Sequence, residues 1–401
     1  MMEHGGTEAQ TPGETTGRFL VTLEESAIGS APEVLGRAMG VEETISAEEG
    51  ACVAVEEHPE GQAVLFERLG VAVMAAPPER EEELGVAATA EDGIAHFEPE
   101  RVVYTSEAAP TQTTDPSETD LTWGLQAIGI ESTSLTGAGV EVAVLDTGVA
   151  TEHPDLAGRT LATQSFVAGQ TVEDGHSHGT HCIGTSCGSN REDIRPRYGI
   201  ASEANIFAGK VLSNEGRGVD ADILAGVEAA VNRGSRIVSM SLGGRNNPGE
   251  PYSEAFEKAA VRARVAGTLI VAAAGNDSNR PTSVSPVSHP ANCPSILAIA
   301  AVDQSLAVAF FSNQGGGVLG GGRVDIAGPG VDVYSMVPMP TGHGKKSGTS
   351  MATPHVAGVA ALFAQANPSA SADELADLLV KGAIPLSAPA EDVGAGLVKV
   401  P

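Results

Sequence analysis

The 401-residue chain is poor in aromatic side chains, which make up 3% of it, with one Trp, four Tyr and nine Phe. A core must therefore be built from Ala, Val, Leu and Ile packed closely around 49 glycines, a mixture that suits an α/β fold with tight turns. Basic residues are scarce as well: 23 Lys and Arg face 52 Asp and Glu, a net charge of −29. A field of that sign repels phosphate backbones and anionic lipid surfaces, so neither nucleic acid nor a membrane surface is expected as a partner, and solubility or adaptation to salt is the plain reading. The four cysteines, Cys52, Cys182, Cys187 and Cys293, form no CxxC pair and no disulfide-rich cluster. Cys182 and Cys187 stand five apart on an expected helix, an offset that points them in different directions and disfavours a bridge. No run of 18 apolar residues occurs, so no membrane span is expected. The first residues, MMEHGGTEAQTPGETTG, lack the basic and apolar regions of a signal peptide, which reads as a protein not exported by that route or one whose signal has been removed.

Composition divides the chain. Residues 1–17 read as a disordered tail. Residues 18–106 alternate strand-like runs (RFLVTL, CVAVEE, LGVAVMAA, IAHFEPERVVY) with helical stretches at APEVLGRAMG and after Pro77 and Pro78, where Glu79 to Glu83 suit the positive end of a helix dipole. This predicts a small α+β unit. It lies in the more acidic part, since residues 1–104 hold 22 Asp and Glu against 5 Lys and Arg. Residues 107–120 offer almost nothing to a core and read as an exposed, easily cut linker. From 121 to 401 the pattern becomes short apolar runs (VEVAVLDTGV, ANIFAGKVL, SRIVSMSLGG, GTLIVAAAGN, SILAIAAVD) separated by helical stretches at 219–234 and 250–267. Continuous apolar strands with helical crossovers predict a mostly parallel sheet covered on both faces, with function at the carboxyl ends of the strands.

The polar residues at those ends are informative. Asp146 ends VEVAVLD, and by itself could simply open a turn. His178 and His181 lie in GHSHGTHCIGT, but their spacing of three and the lack of a nearby Glu or Cys cluster argue against a metal site. Asn276 follows LIVAAAG, where a turn asparagine would also fit. Ser350, in SGTSMATPHVAG, stands where a helix-capping serine could stand. Together they form a set for acyl transfer. A neutral hydroxyl (Ser350) needs a base (His178), the base needs an orienting carboxylate (Asp146), and the tetrahedral oxyanion needs a neutral donor (Asn276) beside a helix N-terminus.

The order Asp, His, Ser, with VAVLDTGV, HGTHCIGT and GTSMATPHVAG, resembles the subtilisin-like (subtilase) serine peptidases over about 121–401. The resemblance implies an α/β fold with a mostly parallel central sheet, endopeptidase activity on polypeptides, and no cofactor for the chemistry. It implies that His181 is a structural helix residue, and that 18–106 is a ferredoxin-like prodomain that blocks the site and is cut off within 104–120 by the enzyme itself. Gly216, Gly218, Ser241 and Gly243 would present backbone to an extended substrate. Ser241, Leu242, Gly243 and Gly244 with Ala273, Ala274 and Gly275 would wall a primary pocket floored by Ser288, with nothing charged in it. Asp220 and Ile223 would line a pocket for the residue four before the cut, Asp220 as an exposed carboxylate on its rim. Asp155 matches a calcium-binding carboxylate of many relatives, so a structural calcium ion is one expectation; the facing loop, GSNREDIRPRYG, opposes it with three arginines. Because both units are acidic, like charges should oppose their association. The readings set against a general endopeptidase are a dedicated processing peptidase and a non-catalytic peptide-binding module.

Overall fold

A computed structural model describes residues 13–47, 61–90, 93–106, 108, 118, 120–316 and 322–401. Cys52, the run CVAVEE and most of the expected linker lie outside the described residues.

The N-terminal unit consists of β1 (Thr15–Leu23), α1 (Ala31–Met39), β2 (Glu43–Ser46), β3 (Gln62–Phe66), β4 (Val71–Ala75), α2 (Glu81–Ala90) and β5 (Ile94–Thr105). Its sheet runs β5-β1-β4-β3-β2, antiparallel except for the β2–β3 pair. Strand β1 starts at Thr15, inside the segment read as a disordered tail, because Thr16 Oγ1 (2.5 Å) and Arg18 Nε (2.6 Å) both donate to the buried Glu100 carboxylate. One face of this sheet, with Phe19, Val21 and Leu23, packs under α1 and α2. The other face, with Leu20, Val64, Phe66, Val71 and Val73, joins the core of the second unit.

The second unit contains α3 (Trp123–Ala127), β6 (Glu141–Asp146), β7 (Leu161–Ser165), α4 (His178–Cys187), β8 (Asn205–Lys210), β9 (Arg217–Val219), α5 (Asp220–Arg233), β10 (Ile237–Met240), β11 (Leu242–Gly243), α6 (Glu254–Val265), β12 (Leu269–Ala273), β13 (Leu297–Val302) and β14 (Ile326–Pro329). A hairpin of β15 (Val333–Met336) and β16 (His343–Lys346) precedes α7 (Thr349–Ala366). The main sheet, β14-β13-β12-β10-β6-β8-β7, is parallel throughout, as the apolar runs predict. It has a core on each face, one formed with α4 and α7 and the other with α5 and α6. The edge strand β7, LATQS, was not legible because only half-buried edge positions lack the apolar run of a central strand. Among the described residues no helix is long and apolar enough to cross a membrane.

The two units are joined by hydrogen bonds as well as by apolar surface. Strand β5 leaves its own sheet and runs antiparallel between β9 and β11 of the second unit, with Val103 opposite Gly218 and Tyr104 opposite Gly243. Glu98 Oε1 accepts from Ala255 N and Ser253 Oγ, both at 2.8 Å, and Glu100 Oε1 accepts from Ala221 N at 3.0 Å. Two carboxylates of the N-terminal unit thus satisfy free N–H groups at the starts of α5 and α6, where the helix dipole also favours negative charge. Against the like net charges of the two units, acidic residues of one face helix N-termini and cations of the other, Arg262 and Lys258 against Glu25 among them.

Candidate active site

Asp146 and Lys210 stand opposite each other at the carboxyl ends of β6 and β8. Asp146 is buried, and its Oδ1 accepts from His178 Nδ1–H at 2.8 Å and from Thr147 N at 2.7 Å. That bond fixes the imidazole tautomer with Nε2 free of the proton. Burial alone would lower the His178 pKa; the adjacent Asp146 carboxylate outweighs it and raises the pKa well above 6.5.

His178 is the first residue of α4, and the loop before it is held by a residue the motif reading passed over. Asp174 Oδ1 accepts from Thr147 Oγ1, His176 N and Ser177 N at 2.8–3.0 Å, and Oδ2 accepts from Thr180 N and Thr180 Oγ1 at 2.8 and 2.6 Å. The signal available in the sequence was an acid four residues before HGTH. Lys210, also passed over, is fully buried and donates to Thr147 O and to Asn214 Oδ1 (2.8 Å); burial lowers its pKa, with Asp174 and Asp146 acting in the other direction.

Ser350 is the second residue of α7 and is buried. Its Oγ donates to Ser241 O at 3.0 Å, while His178 Nε2 has no hydrogen-bond partner among the described residues. The expected serine–histidine bond is therefore not made in this arrangement. A turn about χ1 to another staggered well is what would reorient the hydroxyl.

Asn276 anchors the opposite wall. Its Oδ1 accepts from Thr349 N and Thr349 Oγ1, both at 2.9 Å, and the donor-only amide fixes which way the side chain faces. Its Nδ2 then donates to Ser106 O at 2.6 Å and to Ser106 Oγ at 3.0 Å. The end of β5 thus lies across the site. Thr105 N donates to Gly216 O (2.9 Å), Ser106 N to Ser241 O (3.4 Å) and Ala108 N to Ser347 O (2.8 Å). Gly218, Leu242 and Gly243 take part in the same ladder, and Gly244 pairs outward with His289.

Ala273, Ala274, Gly275 and Ser288 are brought together as expected. Gly275, at φ +106°, cannot be replaced, because a Cβ would lie 2.1 Å from Ser288 Oγ. The pocket is not free of charge, however. Asp277 Oδ2 accepts from Ser288 Oγ at 3.3 Å and from Asn313 Nδ2 at 3.0 Å, with Arg245 Nε 4.0 Å from Oδ1. Asp277 directly follows Asn276, and its carboxylate folds back onto Ser288.

Asp220 is also corrected. It is buried, with Oδ1 bonded to His289 Nε2 at 2.8 Å and Oδ2 accepting from Arg101 N at 2.9 Å. The fourth residue back from Ser106 along the strand is Val103, counting Ser106 as the first; it is fully buried in the same apolar cluster as Val219, Ile223 and Leu242, while the Asp220 carboxylate is engaged by His289 and Arg101.

Asp155 does not fit calcium. Its Oδ2 accepts from the Tyr198 hydroxyl and from His343 Nε2 (2.7 Å), and its backbone N donates to His153 Nδ1 (3.2 Å). Calcium needs six to eight oxygen ligands. Here imidazoles and a phenol surround the carboxylate, and Arg195 and Arg197 donate to the loop carbonyls at Arg191, Ile194, Gly199 and Ile200.

His181 donates Nε2–H to Val333 O at 2.9 Å, away from the cluster, and burial lowers its pKa to about 3. Cys182 lies one turn after His178, with Sγ 3.9 Å from Nδ1 and 3.6 Å from Ser350 O; burial raises its pKa, so it is a thiol and not a metal-ready thiolate. Cys182, Cys187 and Cys293 are free.

Residues 137–396 match the Subtilase family of peptidases. The chain is 42% identical to subtilisin BL of Lederbergia lenta over 251 residues, 62% of this chain and 85% of that protein. It is 42% identical to M-protease of Shouchella clausii over 251 residues, 60% of that protein. It is 38% identical to subtilisin E of Bacillus subtilis over 257 residues, 64% of this chain and 63% of that protein. With Asp, His, Ser and Asn gathered at the strand ends and well over half of the chain matched, the chain belongs to the subtilase family and is a serine endopeptidase.

Proposed function

We propose that Ser350, His178, Asp146 and Asn276 hydrolyse polypeptides through an acyl-enzyme, and that residues 18–106 are an inhibitory prodomain first cut from the chain at the Ser106–Glu107 bond. The observation that carries this reading is the hydrogen bond of 2.6 Å from Asn276 Nδ2 to the Ser106 carbonyl oxygen, within a backbone ladder on both sides. It narrows the expected cut within 104–120 to one bond.

In the reaction, Ser350 Oγ turns from Ser241 O toward His178 Nε2, gives up its proton there and bonds to the carbonyl carbon. Asp146 Oδ1 keeps the Nδ1–H bond and stabilises the imidazolium. Negative charge gathers on the carbonyl oxygen, where Asn276 Nδ2–H and the positive end of α7 meet it. Collapse releases the new amine, protonated by His178, and water attacks the ester by the same route. The strand that held the carbonyl remains in the groove after cleavage, which makes the released unit a product inhibitor.

Two measurements test this. A fluorophosphonate should label wild type at Ser350 and leave Ser350→Ala unlabelled. The 1–106 fragment should inhibit the mature enzyme competitively against a peptide substrate; inhibition that substrate does not relieve would separate the fragment from the groove.

A further inference from the structure

The strand in the groove continues to meet the second unit beyond Val103. Arg101, the sixth residue counting back from the Ser106–Glu107 bond, donates its backbone N–H to Asp220 Oδ2 at 2.9 Å. Its guanidinium lies 3.5 Å from Glu250 Oε1, and the two side chains are 16% and 20% exposed. Both acceptors are held in place by other bonds. Asp220 opens α5 and its Oδ1 is bonded to His289 Nε2 at 2.8 Å, while the His289 ring is set edge-on against Phe256 with centroids 4.7 Å apart. Glu250 uses its other oxygen, Oε2, to accept from Asn247 N at 2.9 Å, which leaves Oε1 facing Arg101. Arg245, the other cation lining this cleft, has its Nε 4.0 Å from Asp277. Of the acids that the second unit places at this end of the groove, Glu250 faces the strand's own cation and Asp220 its backbone N–H.

The geometry points to a subsite for the sixth residue before the cut, in which Asp220, fixed by His289, takes the backbone amide and Glu250 takes a basic side chain. This rests on the reading that residues 101–106 lie as substrate does. The subsite selects polypeptide substrates with Arg or Lys at that position and requires a chain that extends six residues back. An ion pair that is partly shielded and partly open to solvent corresponds to a preference of about threefold to tenfold, weakened by salt. Binding made far from the reacting carbonyl is the same in ground and transition states, so the preference resides in KM.

The test uses enzyme purified from the full-length chain and four N-acetylated peptides: RVVYTSEAAP, its versions with Gln or Glu at the first position, and VVYTSEAAP. Cleavage after the serine is followed by mass. The Arg peptide should exceed the Gln peptide in kcat/KM by about threefold to tenfold, and the Glu peptide by more, at low salt. The shortened peptide, which lacks the amide that Asp220 accepts, should be poorer than the Gln peptide. Glu250→Gln should bring the Arg peptide down to the Gln peptide. Equal kcat/KM for all four peptides, each cut after its serine, overturns the subsite and leaves the reading of the groove intact. An Arg preference undiminished in Glu250→Gln overturns the assignment to Glu250. Absence of cleavage after serine in every peptide overturns the groove reading itself, and the subsite with it.

Discussion

The two sheets of this protein are covered in different ways. The parallel sheet of the second unit has a core on each face built from its own helices, so it needs nothing else to bury its strands. The sheet of the N-terminal unit covers one face with α1 and α2, but Leu20, Val64, Phe66, Val71 and Val73 on the other face are buried only against α5 and α6. Each such side chain is worth about 1.5–3 kcal/mol when buried, so five of them amount to roughly 10 kcal/mol, comparable with the whole stability of a small domain. The N-terminal unit therefore completes the burial of its sheet against α5 and α6 of the second unit. The carboxylates follow the same division: Glu98 and Glu100 act across the interface on helix N-termini, while Asp146 and Asp174 act within one unit on a loop and a ring.

Changes in Asp146, His178 and Ser350 should therefore alter rate and leave docking alone, changes in the interface carboxylates should weaken docking, and Asn276, whose Nδ2 bonds Ser106, belongs to both. Ser350→Ala gives the largest effect, a loss on the order of 10⁶ in kcat with the fold retained, read as residual hydrolysis in a preparation free of other peptidases. Asp146→Asn should cost about 10⁴ in kcat. It should also move the acid limb of kcat/KM. Neutral His178 is the active form, and the Asp146 carboxylate raises its pKa above 6.5, so wild-type activity should rise with pH through a midpoint above that value and the variant's midpoint should be lower. The same raised pKa stabilises the folded state below the unfolded pKa, and that contribution is lost as pH rises through the folded one. Asn276→Ala should lower kcat by about 10²–10³ with little change in KM, since the oxyanion forms only in the transition state.

The interface variants come next. Glu98→Ala and Glu100→Ala, each made in the 1–106 fragment, remove a charge-assisted bond to a buried N–H, worth about 1.5–3 kcal/mol, and should weaken the fragment's inhibition of the mature enzyme by about ten- to a hundredfold. Inhibition by these variant fragments equal to that of the unaltered fragment would erase the division between the units. Added salt should have the smallest effect and should loosen the fragment by screening Glu25 against Arg262 and Lys258, opposite to what the net charges suggest.

Local pattern carried most of this fold. The apolar runs at 140–149, 204–212 and 267–276 are β6, β8 and β12, and Asp146, His178, Asn276 and Ser350 do converge at their ends. What local pattern could not carry were contacts made over long sequence distances. Nothing near Asp220 signals His289, 69 residues on, or Arg101, 119 residues back, so its carboxylate read as exposed. Asp277 drew no notice because Ser288 and Asn313, which it binds, lie 11 and 36 residues on. Asp155 resembled a cation ligand until Tyr198 and His343 occupied it. The total of acidic residues said nothing about the helix N-termini they face.

The central claim is that the end of β5 lies in the groove as substrate, with the Ser106 carbonyl at the oxyanion position. Intact mass and N-terminal sequencing of wild type beside Ser350→Ala test it most directly. Wild type should separate into two pieces, the larger beginning at Glu107 before any further trimming, while Ser350→Ala remains one chain of 401 residues. An active wild type that remains uncut, or a first cut at any other bond, would contradict it.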